Sequence, residues 1–169
     1  VTGLQVDTID FAYNDGAAAV TSTRPVQGTG AAPALVTISQ VDPYDYGTVA
    51  NGAFVDFTFT LTNTGGVNAT ALSGAGLAAP FTFAGGSFPG TGGTCLASLA
   101  PAATCDIVVR FSPLSTGFVT DTIDITYHNG VSAQTSSRIV QGTGAAPANL
   151  TIDLGPAFDY GLVAVGGSA

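Results

Sequence analysis

The clearest alternation of apolar and polar residues runs from Phe54 to Asn63, where Val55, Phe57, Phe59 and Leu61 face one way and Asp56, Thr58, Thr60 and Thr62 the other. A period of two over this length predicts an antiparallel strand with one face buried. The pattern returns over 105–111, with Ile107, Val109 and Phe111 inward, and over 121–127, with Ile123, Ile125 and Tyr127 inward. Shorter strands are predicted over 34–39, 44–49, 67–72 and 80–83, and a closing strand over about 133–140 that ends at Gly142-Thr143-Gly144. Thr64-Gly65-Gly66, the Gly-rich stretch 85–93 and His128-Asn129-Gly130 punctuate these runs, the last as an Asn-Gly hairpin turn.

The same pattern is written twice. Gln27-Gly28-Thr29-Gly30-Ala31-Ala32-Pro33-Ala34 recurs letter for letter as Gln141-Gly142-Thr143-Gly144-Ala145-Ala146-Pro147-Ala148. The offset of 114 holds without a gap from Thr2/Thr116 to Gly52/Gly166, and about half of the paired positions are identical. Ile9, Phe11 and Tyr13 thus copy the inward positions of 121–127, and Asn14-Asp15-Gly16 copies the hairpin turn. A fixed period one small domain long marks a tandem array. The expected division is residues 1–32 as the C-terminal part of one repeat, 33–144 as a complete repeat and 145–169 as the N-terminal part of the next. The chain would then be a section of something longer. Seven or eight short strands within the complete repeat predict an immunoglobulin-like β-sandwich, because propeller blades and β-helix coils are much shorter.

Composition supports an all-β chain. Glu, Lys, Met and Trp are absent, which removes most strong helix formers and leaves Ala and Leu among Gly, Thr, Val and Phe. Net charge is −8, with Arg24, Arg110 and Arg138 as the only cations, so no basic patch exists to displace counterions from nucleic acid. No apolar run approaches the roughly 18 residues that read as a membrane-spanning helix, so no membrane insertion is expected within this stretch.

Few residues carry chemistry. His128 is the single histidine, and its repeat partner is Asn14, so no function shared by every repeat depends on it. No Ser–His–Asp arrangement can be assembled, and enzymatic activity is not expected. Cys95 and Cys105 are the only cysteines. The pair reads as a disulfide closing the loop between them, the alternative being two reduced core thiols, and it is too small a set for a structural zinc site. Calcium is the only cofactor the composition raises, through its Asp residues. Asp7/Asp10 and Asp121/Asp124 are three apart on strands, which sends their side chains to opposite faces. Asp42, Asp45, Asp153 and Asp159 lie nearer the junction, but only Asp45/Asp159 recurs in register. Phe88, beside the Gly-rich stretch, is the candidate contact for a carbohydrate, with Phe81 and Phe83 read as core. Arg24/Arg138 recurs near the repeated Gly-Ala-Ala-Pro-Ala segment and is a candidate for an interdomain contact, together with Gly30, Pro33, Gly144 and Pro147. That linker is short, and proline biases the residue before it to an extended conformation, so closely spaced domains in a rod-like array are expected.

Four segments carry a family resemblance: Asp45-Tyr46-Gly47-Thr48-Val49; Phe59-Thr60-Leu61-Thr62-Asn63-Thr64-Gly65; Cys95 through Leu99-Ala100-Pro101 to Cys105-Asp106-Ile107-Val108-Val109-Arg110-Phe111-Ser112-Pro113; and Gly142-Thr143-Gly144. The sequence resembles the bacterial choice-of-anchor D repeats, relatives of Hydin-like immunoglobulin-like domains. The resemblance implies tandem β-sandwiches on long exported proteins and supplies no catalytic residue. It points to the shaft of an adhesin, stalk or extracellular filament, with neighbouring repeats and further copies in a fibre as partners. A carbohydrate-binding or accessory module of a secreted protein is the alternative.

Overall fold

Side chains that alternate along long strands require two layers with an apolar interior. The computed structural model, which describes all residues except Asp153, Leu154, Pro156, Phe158 and Ala169, has that arrangement. β1 (Gly3–Asn14) and β2 (Ala19–Gly30) form an antiparallel hairpin that is a sheet of its own. The sandwich follows, built from β3 (Val36–Ile38), β4 (Tyr44–Ala50), β5 (Val55–Asn63), β6 (Ala69–Ala75), β7 (Phe81–Phe83), β8 (Ser98–Leu99), β9 (Thr104–Phe111), β10 (Gly117–His128) and β11 (Ala133–Ala145). A four-stranded sheet in the order β3-β5-β9-β7 packs on a five-stranded sheet in the order β4-β11-β10-β6-β8. Every pairing is antiparallel except that of β4 with β11, which is parallel.

The inward positions read from the alternation form the core. Phe59, Leu61, Ile107, Val109 and Phe111 from one sheet meet Ile123, Ile125, Tyr127 and Val140 from the other. The buried cluster runs from Ala34 to Val140 and takes nothing from β1 or β2. Residues 33–145 therefore close their own interior.

Three expectations are corrected. The closing strand does not stop at Gly142-Thr143-Gly144: β11 continues through these residues to Ala145, paired with β10 on one side and β4 on the other. The glycines are there because neighbours come close. A Cβ on Gly142 would lie 2.6 Å from the Phe111 ring, and one on Gly144 would collide with the Ser115 carbonyl. The hairpins turn through four residues rather than two. Asp15 Oδ1 accepts from the amides of Ala17 and Ala18, and Asn129 Oδ1 from those of Val131 and Ser132, all at 2.8 Å. Finally, β6 runs over 69–75 rather than 67–72, and within it Ala71 takes a positive φ of 52° where the register against β10 shifts.

The hairpin reproduces β10–β11 pair for pair. Ile9 opposes Arg24 as Ile123 opposes Arg138, and Gly3 opposes Gly30 as Gly117 opposes Gly144. Only the environment differs. Ile9, Phe11 and Tyr13 are 59%, 68% and 47% exposed, whereas Ile123, Ile125 and Tyr127 are 0%, 0% and 4% exposed.

Candidate functional site

The segment that repeats most faithfully, 27–34 and 141–148, touches the sandwich at both of its ends. At the entry end the strongest strand, β5, finishes in Asn63, the one polar residue buried to 0% among those described. Its Oδ1 accepts from the amides of Leu35 and Gly65, and its Nδ2 donates to the carbonyls of Val67 and Leu99. One side chain thus satisfies four backbone groups that the turn and the incoming chain would otherwise leave unpaired. The amide of Gly66 donates to the carbonyl of Ala32 at 3.0 Å, that of Ala34 to Asn129 at 3.0 Å, and that of Thr64 to Leu35 at 2.8 Å. Gly65 has no room for a Cβ, which would meet the Pro33 carbonyl and lie 2.5 Å from Ala34 Cα. Ala32, Pro33 and Ala34 are therefore held against the domain they enter. Asn63 and Gly65 were not singled out from the sequence as junction residues, although an Asn closing the longest alternation before Thr-Gly-Gly is the signal.

At the exit end Ala145 pairs with Ala50, and the amide of Asn51 donates to the Ala145 carbonyl at 2.8 Å. The amide of Gly52 donates to the carbonyl of Pro113 at 2.9 Å, so the β4–β5 and β9–β10 loops form one surface around Gly144. Asn51 Oδ1 is buried there and has no donor among the described residues. Beside it lies a cleft of about 180 Å³ between Pro80, Pro113, Leu114, Ser115 and Val119.

Arg138 belongs to neither end. Its Nη2 donates to the Ile38 carbonyl at 2.6 Å, with Nη1 4.0 Å from Asp42, while the Ser136 hydroxyl donates to the Val36 carbonyl. These bonds join β11 in one sheet to the free edge of β3 in the other. Arg138 is thus held at a seam inside the sandwich, between β11 and β3. Arg24 sits at the same register on β2 and is exposed.

The remaining candidates have local roles. Cys95 and Cys105 are joined as a disulfide, with both residues buried. His128 Nδ1 accepts from the Gly130 amide at 3.1 Å as Asn14 Oδ1 accepts from the Gly16 amide at 2.8 Å, so the two residues do the same work in their turns. Phe81 and Phe83 are core, and half-buried Phe88 packs edge-on against Phe83, both rings lying over Gly74. Asp45 accepts from Gly47 and from Gln141, bonds that hold its carboxyl below the usual range, with the Gln141 bond the larger cause. Asp42 accepts from the Ile139 amide. Asp159 accepts from Gly161, and Asp153 lies outside the described residues. Among the described residues no three His, Cys or Asp side chains converge as a metal cluster. No helix there is long and apolar enough to cross a membrane.

No protein-family model matches the sequence, and neither does any curated protein. Solved structures do. The VesB protease of Vibrio cholerae is similar over 66% of this chain and 32% of its own, at 15% identity and a TM-score of 0.51. The ASH/PapD-like domain of human CEP192 (PapD-like domain 7) is similar over 67% of this chain and 87% of its own, at 16% identity and a TM-score of 0.48. The CARDB domain of PF1109 from Pyrococcus furiosus is similar over 66% and 94%, at 14% identity and a TM-score of 0.38. Identities this low speak for fold alone. The four-on-five sandwich, with β3 and β4 in different sheets and β4 parallel to the last strand, β11, makes the chain an immunoglobulin-like all-β protein.

Proposed function

We propose that this chain is a section of a tandem array of immunoglobulin-like sandwiches, of the choice-of-anchor D kind, forming the shaft of an extracellular adhesin, stalk or filament. The observation that carries the reading is the second copy of β10–β11 in β1–β2, identical in register, with Ile9, Phe11 and Tyr13 exposed where their counterparts are buried. Such a face requires the remaining strands of its own sandwich. In this reading residues 1–32 and 145–169 belong to the repeats on either side of 33–144. The Cys95–Cys105 disulfide supports an oxidising compartment outside the cytosol. The chemistry of the domain is spent on holding strands and linkers, which suits a spacer.

Electron microscopy of the native, full-length polypeptide tests the reading. Rods with an axial repeat of about 40 Å, the length of a twelve-residue strand at about 3.3 Å per residue, are expected. Compact particles without an axial repeat would overturn it.

A further inference from the structure

The two ends of the sandwich, taken together, describe a complete junction. On the exit side the domain holds the chain through the carbonyl of Ala145, which accepts from Asn51. On the entry side it holds the chain from the carbonyl of Ala32, which accepts from Gly66. In the repeat register Ala32 is Ala146. The carbonyls of two successive residues are therefore claimed by two different sandwiches, and one Cα step spans only about 3.8 Å. Nothing is left over to act as a hinge.

Taking the tandem array as its basis, we infer that consecutive sandwiches dock end to end, the exit surface of one unit receiving the entry turns of the next copy. The surfaces suit each other. Leu114 and Phe118 are 83% and 62% exposed at the exit, beside the cleft against Pro80 and Pro113, and Val131 is 75% exposed in the entry-side turn. No Asp or Arg occurs in 50–55, 63–69, 113–120 or 128–132, the four loops that meet there, and Arg110, whose guanidinium lies 3.7 Å over the Phe54 ring of the first, is paired with Asp56 at 2.7 Å. Uncharged, apolar faces are what the centre of a protein interface requires. Loosely coupled domains normally move relative to one another unless their interface is apolar and well packed. Here the interface is apolar, and the linker forces the two faces together.

The test joins two copies of the self-contained unit in natural register, residues 33–146 followed directly by 33–145, and measures rotational correlation times by ¹⁵N relaxation. Both units are expected to tumble as one body, with a correlation time roughly twofold longer than that of independently moving domains. Leu114→Ser with Phe118→Ser, or Gly-Ser-Gly-Ser inserted after Ala146, should return the shorter time while each unit keeps its folded spectrum. Independent tumbling of the unmodified pair would overturn the interface, as would coupling that survives both changes. Rods in the micrographs beside independent tumbling would leave the array standing and remove the interface alone, so the two failures can be told apart.

Discussion

The Tyr46 hydroxyl on β4 donates a 2.8 Å hydrogen bond to the Val109 carbonyl on β9, joining the two sheets through the middle of the core. Tyr127 makes the reciprocal bridge, accepting from the Val36 amide. The Tyr46 ring packs at a tilt against Phe81 and Phe111, so removing its oxygen keeps the packing and takes this donor from a buried carbonyl. Tyr46→Phe should lower unfolding free energy by about 1–2 kcal/mol in urea titrations. Burial also raises the Tyr46 pKa above its ordinary value of 10.0. Unfolded Tyr46 ionises near that value and folded Tyr46 does not, so its contribution is full below pH 10 and is lost as pH rises further. Alkaline unfolding of the wild type should be shallower in Tyr46→Phe.

Asn63 should be the most sensitive polar position. Asn63→Ala strands four backbone groups around the incoming chain, and a loss of about 3 kcal/mol or more is expected by denaturant titration. Hydrogen exchange should show the amides of Leu35 and Gly65 losing protection first.

Gly142→Ala and Gly28→Ala make the same change at repeat-equivalent positions. Gly142 faces the Phe111 ring and Gly28 faces open space. The first should cost about 1–3 kcal/mol through overpacking, and the second should stay within about 0.5 kcal/mol in the same urea assay. Equal effects would show that the glycines are selected for backbone freedom instead of room.

Reducing Cys95–Cys105 frees a loop with a sequence separation of 10, for which chain entropy gives a loss of about 3 kcal/mol. Mass spectrometry before and after reductant establishes the bond, and thermal melts in both states give its contribution.

The strands and turns were legible because they are written locally. The Asp45–Gly47 turn, with its 2.7 Å bond and Gly φ of 74°, reappears at Asp159–Gly161 with 2.8 Å and 70°, in a segment assigned to no sheet. Apolar alternation likewise placed Phe59, Ile107 and Ile123 in the core. What could not be read was decided by distant chain. Gly142 is shaped by Phe111, Asn63 by Leu35 and Leu99, and Arg138 by Ile38. Sequence shows only that Arg138 recurs near the repeated linker; the closing of β3 against β11 shows what it grips.

The parallel pairing of β4 with β11 has a mechanical consequence. Tension applied at the two ends draws β4 and β11 in opposite directions along their shared axis. The contacts from Tyr44–Val140 to Ala50–Ala145 then bear the load together, like rivets in a lap joint, instead of opening one after another like a zip. A molecule stretched by flow or by an attached surface would resist through this joint, and extension would begin only when the whole row shears.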